Sequence, residues 1–284
     1  FRSASNYTNG SGDCPTQNFV DRFETLDGDP LLTEADREAA AKFGHYDEQD
    51  PYSNRDPRFD KTILHDGSVV SGCPTGINIH YDPATGTYPT SSLNNNNRSF
   101  GIAWGSNDSK GYSNTGYYVN KLWNGQLGTS AAHQHTDPLI RMAELYLNYA
   151  EACNEKPQRD ETAALLYLNK VRNRVGLIDI EKAYPEIKGN KELLRWCIQK
   201  ERMVEFGLEA KRHYDACRWM IAKDEYPGTP WTLHLTATNY EDSYQRVNNE
   251  LRISTYVFQD KDYLYPIGAA QLAEMTNMTQ NYGF

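Results

Sequence analysis

Asp137-Pro138-Leu139-Ile140-Arg141-Met142-Ala143-Glu144-Leu145-Tyr146-Leu147-Asn148-Tyr149-Ala150-Glu151 is the stretch whose period decides the fold class. Asp137 offers a carboxylate to the free amides of a helix start, and Pro138 suits the first helical position, where its missing N–H forfeits no bond. The spacing predicts a helix from Asp137 to about Glu155. Arg141, Glu144, Asn148, Glu151 and Glu155 step by three or four into one wet stripe, leaving Leu139, Met142, Ala143, Tyr146, Leu147 and Ala150 on the packed side.

Outward from this helix the same period continues. Asp160 opens a second helix in which Ala164, Leu168, Val171 and Val175 share a face, and Gly176 supplies a left-handed terminator. The short connection makes the two antiparallel neighbours. A third helix runs from about Asn190 through Leu193, Leu194, Cys197, Ile198 and Val204 to Gly207, and a fourth from Leu208 to Ile221. Four helices over residues 137–225 predict a mainly α fold, as a bundle or a repeat-like array.

The flanks differ. Residues 1–136 are rich in Gly, Asn, Ser, Asp, Pro and Tyr, so loops dominate. The exceptions are a short helix from Thr33 to Lys42, with Thr33 and Asp36 at capping-box spacing, and two strand-like runs, Thr62-Ile63-Leu64-His65 and Tyr117 to Leu122. Residues 226–284 loosen again, with Trp231, His234, Tyr240 and Tyr244 among polar residues. The last element is Asp262-Tyr263-Leu264-Tyr265-Pro266-Ile267, followed by a short helical stretch. No shift in composition cuts the chain, so the three segments read as one integrated domain.

With a net charge of −9 the chain lacks the basic footprint that holds a phosphate backbone, which excludes a nucleic-acid partner. Its 24% charged residues come with 12% aromatics, 20 of them Tyr, unlike the aromatic-poor profile of disorder. No apolar run reaches the roughly 20 residues that span a bilayer. The start, Phe1-Arg2-Ser3-Ala4-Ser5, has no apolar signal-peptide core, so an export signal or lipid anchor is expected outside this chain. Cys153, Cys197 and Cys217 fall in helical patterns as small core residues. Cys14 and Cys73 lie in Pro-flanked loops compatible with one disulfide.

Glu201, Arg202, Glu205, Glu209, Arg212, Asp215, Arg218 and Trp219 form the densest charged constellation. Glu201 and Glu205, one helical turn apart, have the composition of a glycosidase acid and base. Such pairs converge from different elements across an open cleft, however. Glu205 to Arg212 and Asp215 to Arg218 have spacing suited to ionic bridging, and a structural ion network through Glu201, Arg202, Glu205, Arg212, Asp215 and Arg218 is the favoured reading. His133 and His135 are the one close histidine pair and lack further ligands, so neither a metal site nor a cofactor is expected. Serine-hydrolase, phosphate-cradling and dinucleotide motifs are missing. Between residues 81 and 118, aromatic residues stand among Asn94 to Asn97, Arg98, Asn107 and Asp108. Sugars present apolar C–H faces rimmed by hydroxyls, so stacking rings beside amides and charges are what a carbohydrate cradle needs. Trp104, with Tyr81, Tyr88 or Tyr112, is the candidate stacking platform; Arg98 and Asn95 are the candidate hydroxyl partners.

Several segments, in order, resemble the carboxyl-terminal region of the SusD/RagB family. They are Cys14-Pro15-Thr16-Gln17-Asn18-Phe19-Val20-Asp21-Arg22-Phe23 with Asp27-Gly28, Tyr52-Ser53-Asn54-Arg55-Asp56-Pro57-Arg58-Phe59, and Gly116-Tyr117-Tyr118-Val119-Asn120-Lys121. Pro138 to Ala152, Leu168 to Leu177, Glu201-Arg202 to Trp219, Leu264-Tyr265-Pro266-Ile267 and Thr279-Gln280-Asn281-Tyr282-Gly283-Phe284 complete the set. The family's usual Glu-Gly before Lys-Arg is Glu209-Ala210 here, and its closing Asn-Pro-Gly is Asn281-Tyr282-Gly283; both changes fall in local turns.

The resemblance implies TPR-like helical hairpins packed with a loop-rich insertion, a lipid anchor at the outer-membrane surface, and a SusC-type TonB-dependent transporter as partner. It also implies no catalysis, and a preceding amino-terminal half with its own helices. The expected function is capture of oligosaccharide for that transporter. A peptide ligand is the rival, with a glycoside hydrolase or a purely structural scaffold behind it.

Overall fold

The computed structural model describes residues 14–69, 113, 115–121, 138–225, 230–234, 237, 240–248, 257–275 and 277–284. The loop-rich amino-terminal side forms short elements: α1 (Gln17–Val20), α2 (Glu34–Lys42), α3 (Phe59–Thr62), and strands β1 (Ile63–Leu64) and β2 (Tyr118–Val119). α2 begins with the predicted capping box. The Asp36 amide donates to the Thr33 hydroxyl at 3.1 Å, and the Thr33 amide donates to the Asp36 carboxylate at 2.9 Å. β1 and β2 pair antiparallel, Ile63 opposite Val119 and Leu64 opposite Tyr118.

α4 (Met142–Glu155) and α5 (Glu161–Arg174) pack together and then against a later helix. α5 starts as read, with Asp160 accepting from the Ala163 amide at 3.0 Å, and Gly176 follows it at φ 86°. α4 starts later than predicted, at Met142 instead of Pro138. Arg141 is its N-cap in extended geometry (φ −139°, ψ 159°), which carries the guanidinium across to Glu205 and Glu209.

Ala143, Leu147 and Ala150 are buried on the packed side of α4 as read, but the rest of its two faces departs from expectation. Leu139 is 85% exposed and Met142 58%, whereas the polar stripe is a seam to other helices. Glu144 pairs with Lys211 at 2.8 Å, Asn148 accepts from Arg202 at 2.6 Å, and Glu155 pairs with Arg195 at 2.6 Å. A helix with charged neighbours can pair its polar side, and periodicity alone cannot tell such a side from a solvated one.

The chain continues through α6 (Ile180–Ala183), a 3-10 turn at Pro185–Ile187, and α7 (Lys191–Glu205), whose N-cap Asn190 accepts from the Leu193 amide at 3.1 Å. The predicted fourth helix contracts to α8 (Arg212–Arg218). Leu208 and Ala210, at φ 65° and 57°, take left-handed backbone that a helix cannot contain, and Ala210 stands where the resembled family carries glycine. α9 (Ala222–Glu225), β3 (Trp231–Leu233), α10 (Tyr240–Ser243), β4 (Arg246–Asn248), a 3-10 turn at Asp260–Tyr263 and α11 (Ala269–Glu274) follow. β3 and β4 form an antiparallel hairpin with Trp231 opposite Asn248 and Leu233 opposite Arg246.

Two cores result. One joins α4, α5, α6 and α7 through Leu147, Ala150, Cys153, Leu168, Val171, Ile180, Leu194 and Ile198. Each fully buried aliphatic side chain there contributes about 1.5–3 kcal/mol of transfer free energy. The other joins Val20, Phe23, Phe59, Ile63, Tyr117, Val204 and Leu233. Gly207 serves the second core, because a Cβ at that position would drive into the ring of Phe19 and stand 3.1 Å from the Met203 carbonyl. Cys153 and Cys197 are core residues; burial pushes the Cys197 thiol up to about 12. Cys217 packs beside Ala216, Ala222 and Phe258. Cys73, and with it the Cys14–Cys73 pairing, lies outside the described residues.

Candidate functional site

α7 ends in a helical turn that places Lys200, Glu201 and Glu205 toward the amino-terminal elements. Glu201 is only 4% exposed and Glu205 3%. Arg58, delivered by the Asp56-Pro57-Arg58 turn ahead of α3, lies between them. Its Nη1 is 2.5 Å from Glu201 and 2.9 Å from Glu205, and its Nη2 is 2.6 Å from Asp56. Arg172 of α5 bridges Glu24 at 2.6 Å and Glu201 at 3.3 Å, and Lys200 Nζ sits 2.5 Å from Glu24 and donates to the Tyr184 hydroxyl at 3.0 Å. Glu205 also receives Arg141 at 2.5 Å and Arg174 at 2.9 Å, while Glu209 receives Lys121 at 2.7 Å.

On the opposite side of α7, Arg202 grips Asp215 through Nε at 2.9 Å and Nη2 at 3.0 Å. Arg218 joins Asp215 at 2.9 Å and Glu151 at 2.5 Å, and the Trp219 indole N–H donates to Glu151 at 2.8 Å. The structure thus brings Glu201 and Glu205 into one cluster and Arg202, Asp215 and Arg218 into another. It separates Arg212 from Glu205: Arg212 pairs with Glu225 at 2.7 Å, because the left-handed turn at Leu208 and Ala210 redirects the chain before α8. Arg58, Arg172 and Glu24 carry no local spacing signal; they meet α7 only through the fold.

Burial alone raises the Glu205 carboxyl, yet Arg58 and Arg141 outweigh it and hold the group below the ordinary glutamate range. Burial likewise opposes the charge on Arg58 and Lys200, and Glu201 and Glu24 respectively hold those cations protonated more firmly than usual. A general acid requires the reverse, a raised carboxyl facing a substrate. These carboxylates instead lock α5, α7 and the Arg58 turn together.

Trp104, Tyr81, Tyr88, Tyr112, Arg98 and Asn95 lie outside the described residues. A cleft of about 890 Å³ does appear elsewhere, between α1, the start of α2, the turn at Glu48 and Gln49, and the β3–β4 hairpin. Its floor is charged and paired. Arg246 reaches Asp21 at 3.0 Å and Glu48 at 2.6 Å, Arg37 holds the other Glu48 oxygen at 2.8 Å, and the Arg246 Nη2 donates to the Tyr46 hydroxyl at 2.9 Å. Burial disfavours the Arg246 cation, but Asp21 more than offsets it. The Trp231 amide donates to Asn18 Oδ1 at 2.7 Å, anchoring β3 to α1 across 213 residues of sequence. Trp231 itself is 42% exposed. Among the described residues no group of three or more His, Cys, Asp or Glu side chains could hold a metal ion, and no described helix is long and apolar enough to cross a membrane.

A family model, the SusD family, matches residues 2–284. A SusD-like protein of Formosa agariphila, P25, is 36% identical over 110 residues, which is 38% of this chain and 20% of that protein. A SusD-like protein of Bacteroides ovatus is 32% identical over 82 residues, 28% of this chain and 13% of its own length. Among solved structures, a SusD-like protein from Bacteroides fragilis superposes with TM-score 0.68 at 26% identity, covering 95% of this chain and 47% of that one. A second from the same species, described as a SusD-like carbohydrate binding protein, gives TM-score 0.63 at 23% identity over 91% of this chain and 47% of its own, a likeness of fold. The chain therefore spans about half the length of these solved relatives.

Proposed function

This chain belongs to the SusD family, and from that membership we propose that it is a non-catalytic glycan-binding module acting at the outer-membrane surface. In the full-length protein a lipid anchor would hold it there, and a SusC-type TonB-dependent transporter would receive the captured oligosaccharide. The observation that carries the glycan assignment is the segment from Tyr81 to Tyr112. Its aromatic rings alternate with Asn95, Arg98 and further amides, the mixture that stacks on a sugar ring and bonds its hydroxyls. Trp104 is the proposed platform, with Tyr81, Tyr88 or Tyr112 beside it.

Support for binding without turnover comes from α7: the Glu201 and Glu205 carboxylates are buried and each is held by guanidinium groups, leaving neither to protonate a leaving group. Calorimetric titration of the parent and of Trp104→Ala against an oligosaccharide panel and a peptide mixture tests the assignment. Saturable binding of oligosaccharide, weakened about tenfold or more in the variant, is expected. Equal affinity in the variant would remove Trp104 from the site, and binding of peptides alone would replace the ligand class.

A further inference from the structure

We propose that the cleft between α1, α2 and the β3–β4 hairpin is a second saccharide subsite, in which the Trp231 indole stacks on a neutral sugar ring and Arg22 bonds its hydroxyls. It rests on the glycan-capture reading given above, but on none of the residues between Tyr81 and Tyr112.

The volume, about 890 Å³, lies within the roughly 300–1,000 Å³ of small-molecule sites. Two of its groups carry the reading. The Arg22 guanidinium makes no ion pair or hydrogen bond with a described residue, although every other arginine lining the cleft is engaged. Trp231, a large apolar residue 42% exposed, stands in a lining that, Leu32 and Tyr244 apart, is charged or amide-bearing. An indole in that setting offers an apolar face to a ligand whose edge is polar, which is the surface of a pyranose.

Several of the other polar groups are held in place before a ligand arrives. Arg246 is fixed by Asp21 and Glu48, Arg37 by Glu48, and the Trp231 backbone by Asn18. For these groups little side-chain ordering is then left for binding to impose. The sign of the wall selects the ligand class. Asp21, Glu34, Glu48, Glu241 and Asp242 supply five carboxylates against the three guanidiniums of Arg22, Arg37 and Arg246. That excess repels uronates and sulfated sugars and leaves carboxylate acceptors for neutral hydroxyls.

The test is calorimetric titration of the parent chain, Trp231→Ala, Trp231→Phe and Arg22→Gln with neutral gluco-, xylo- and manno-oligosaccharides and with an oligogalacturonate. Trp231→Ala is expected to weaken neutral-sugar binding about tenfold or abolish one of two binding events, Arg22→Gln by about threefold, and Trp231→Phe to retain most of the affinity, since its ring still stacks. Unchanged circular dichroism and melting temperature would show that the exposed substitution leaves the fold intact. Wild-type affinity in Trp231→Ala, with Trp104→Ala still impaired, would overturn the second subsite and leave glycan capture standing. Preference for the oligogalacturonate would overturn the neutral class. A parent that binds none of the sugars would bring down both assignments.

Discussion

Two charged regions among the described residues treat their charges in opposite ways. Around α7, carboxylates are withdrawn from water and saturated by cations: Glu201 with Arg58 and Arg172, Glu205 with Arg58, Arg141 and Arg174, Glu24 with Lys200. In the β3–β4 cleft the pairs line a floor, while Trp231 and Arg22 are left without such partners among the described residues. Charge density therefore does not mark a ligand site. What separates an interior lock from a candidate binding surface is whether polar and aromatic groups remain uncommitted once the fold has closed.

The contrast can be broken most decisively at Arg58. Replacing it by methionine strips Asp56 of its guanidinium and leaves the Glu201 and Glu205 carboxylates under-compensated in a dry interior. A loss of about 3–5 kcal/mol is expected in urea unfolding. Arg22→Gln in the cleft should lie within about 0.5 kcal/mol of the parent. Equal effects at the two arginines would erase the distinction.

A smaller effect sharpens the same comparison at the rim of the helical assembly. Hydrogen bonds from Arg195, opposed by burial and aided by Lys191, hold the Glu155 carboxyl at about 2 against an ordinary 4.5. A group whose folded value is depressed stabilises the fold above its unfolded value, so this contribution is complete above about 4.5 and disappears as the pH falls toward 2. Solvent screens the pair, which limits it to about 0.2–1 kcal/mol. Melting curves of the parent and Glu155→Gln should differ slightly near neutrality and converge in acid. A difference independent of pH would contradict the assignment. Glu205, depressed by Arg58 and Arg141 against its burial, loses stability in the same direction on acidification.

Local chemistry made much of this fold readable. Asp160, Asn190 and the Thr33–Asp36 box announce helix starts because a side-chain oxygen must meet an amide three residues on, a short-range requirement visible in sequence. Where distant residues decide, spacing misled. Asp137-Pro138 satisfies every local rule for a helix start, yet the helix begins only at Met142, after Arg141 extends toward Glu205 and Glu209, more than sixty residues away. The Glu205–Arg212 spacing failed for a related reason, since Leu208 and Ala210 adopt backbone that few non-glycine residues visit. The candidate site was legible to a different degree in each place. Trp104 and its neighbours stand out by composition, whereas Trp231 looked like one aromatic among scattered polar residues. Its significance arises when Asn18 and α2, far away in the chain, close the cleft around it.

Capture without turnover is tested most directly by one measurement on the parent chain: equilibrium binding of a neutral oligosaccharide, followed by chromatography of the recovered sugar after prolonged incubation. Saturable binding with the sugar returned at its original length is the expected result. Shortened products, lost on Glu201→Gln or Glu205→Gln, or no binding to any sugar offered, would contradict it.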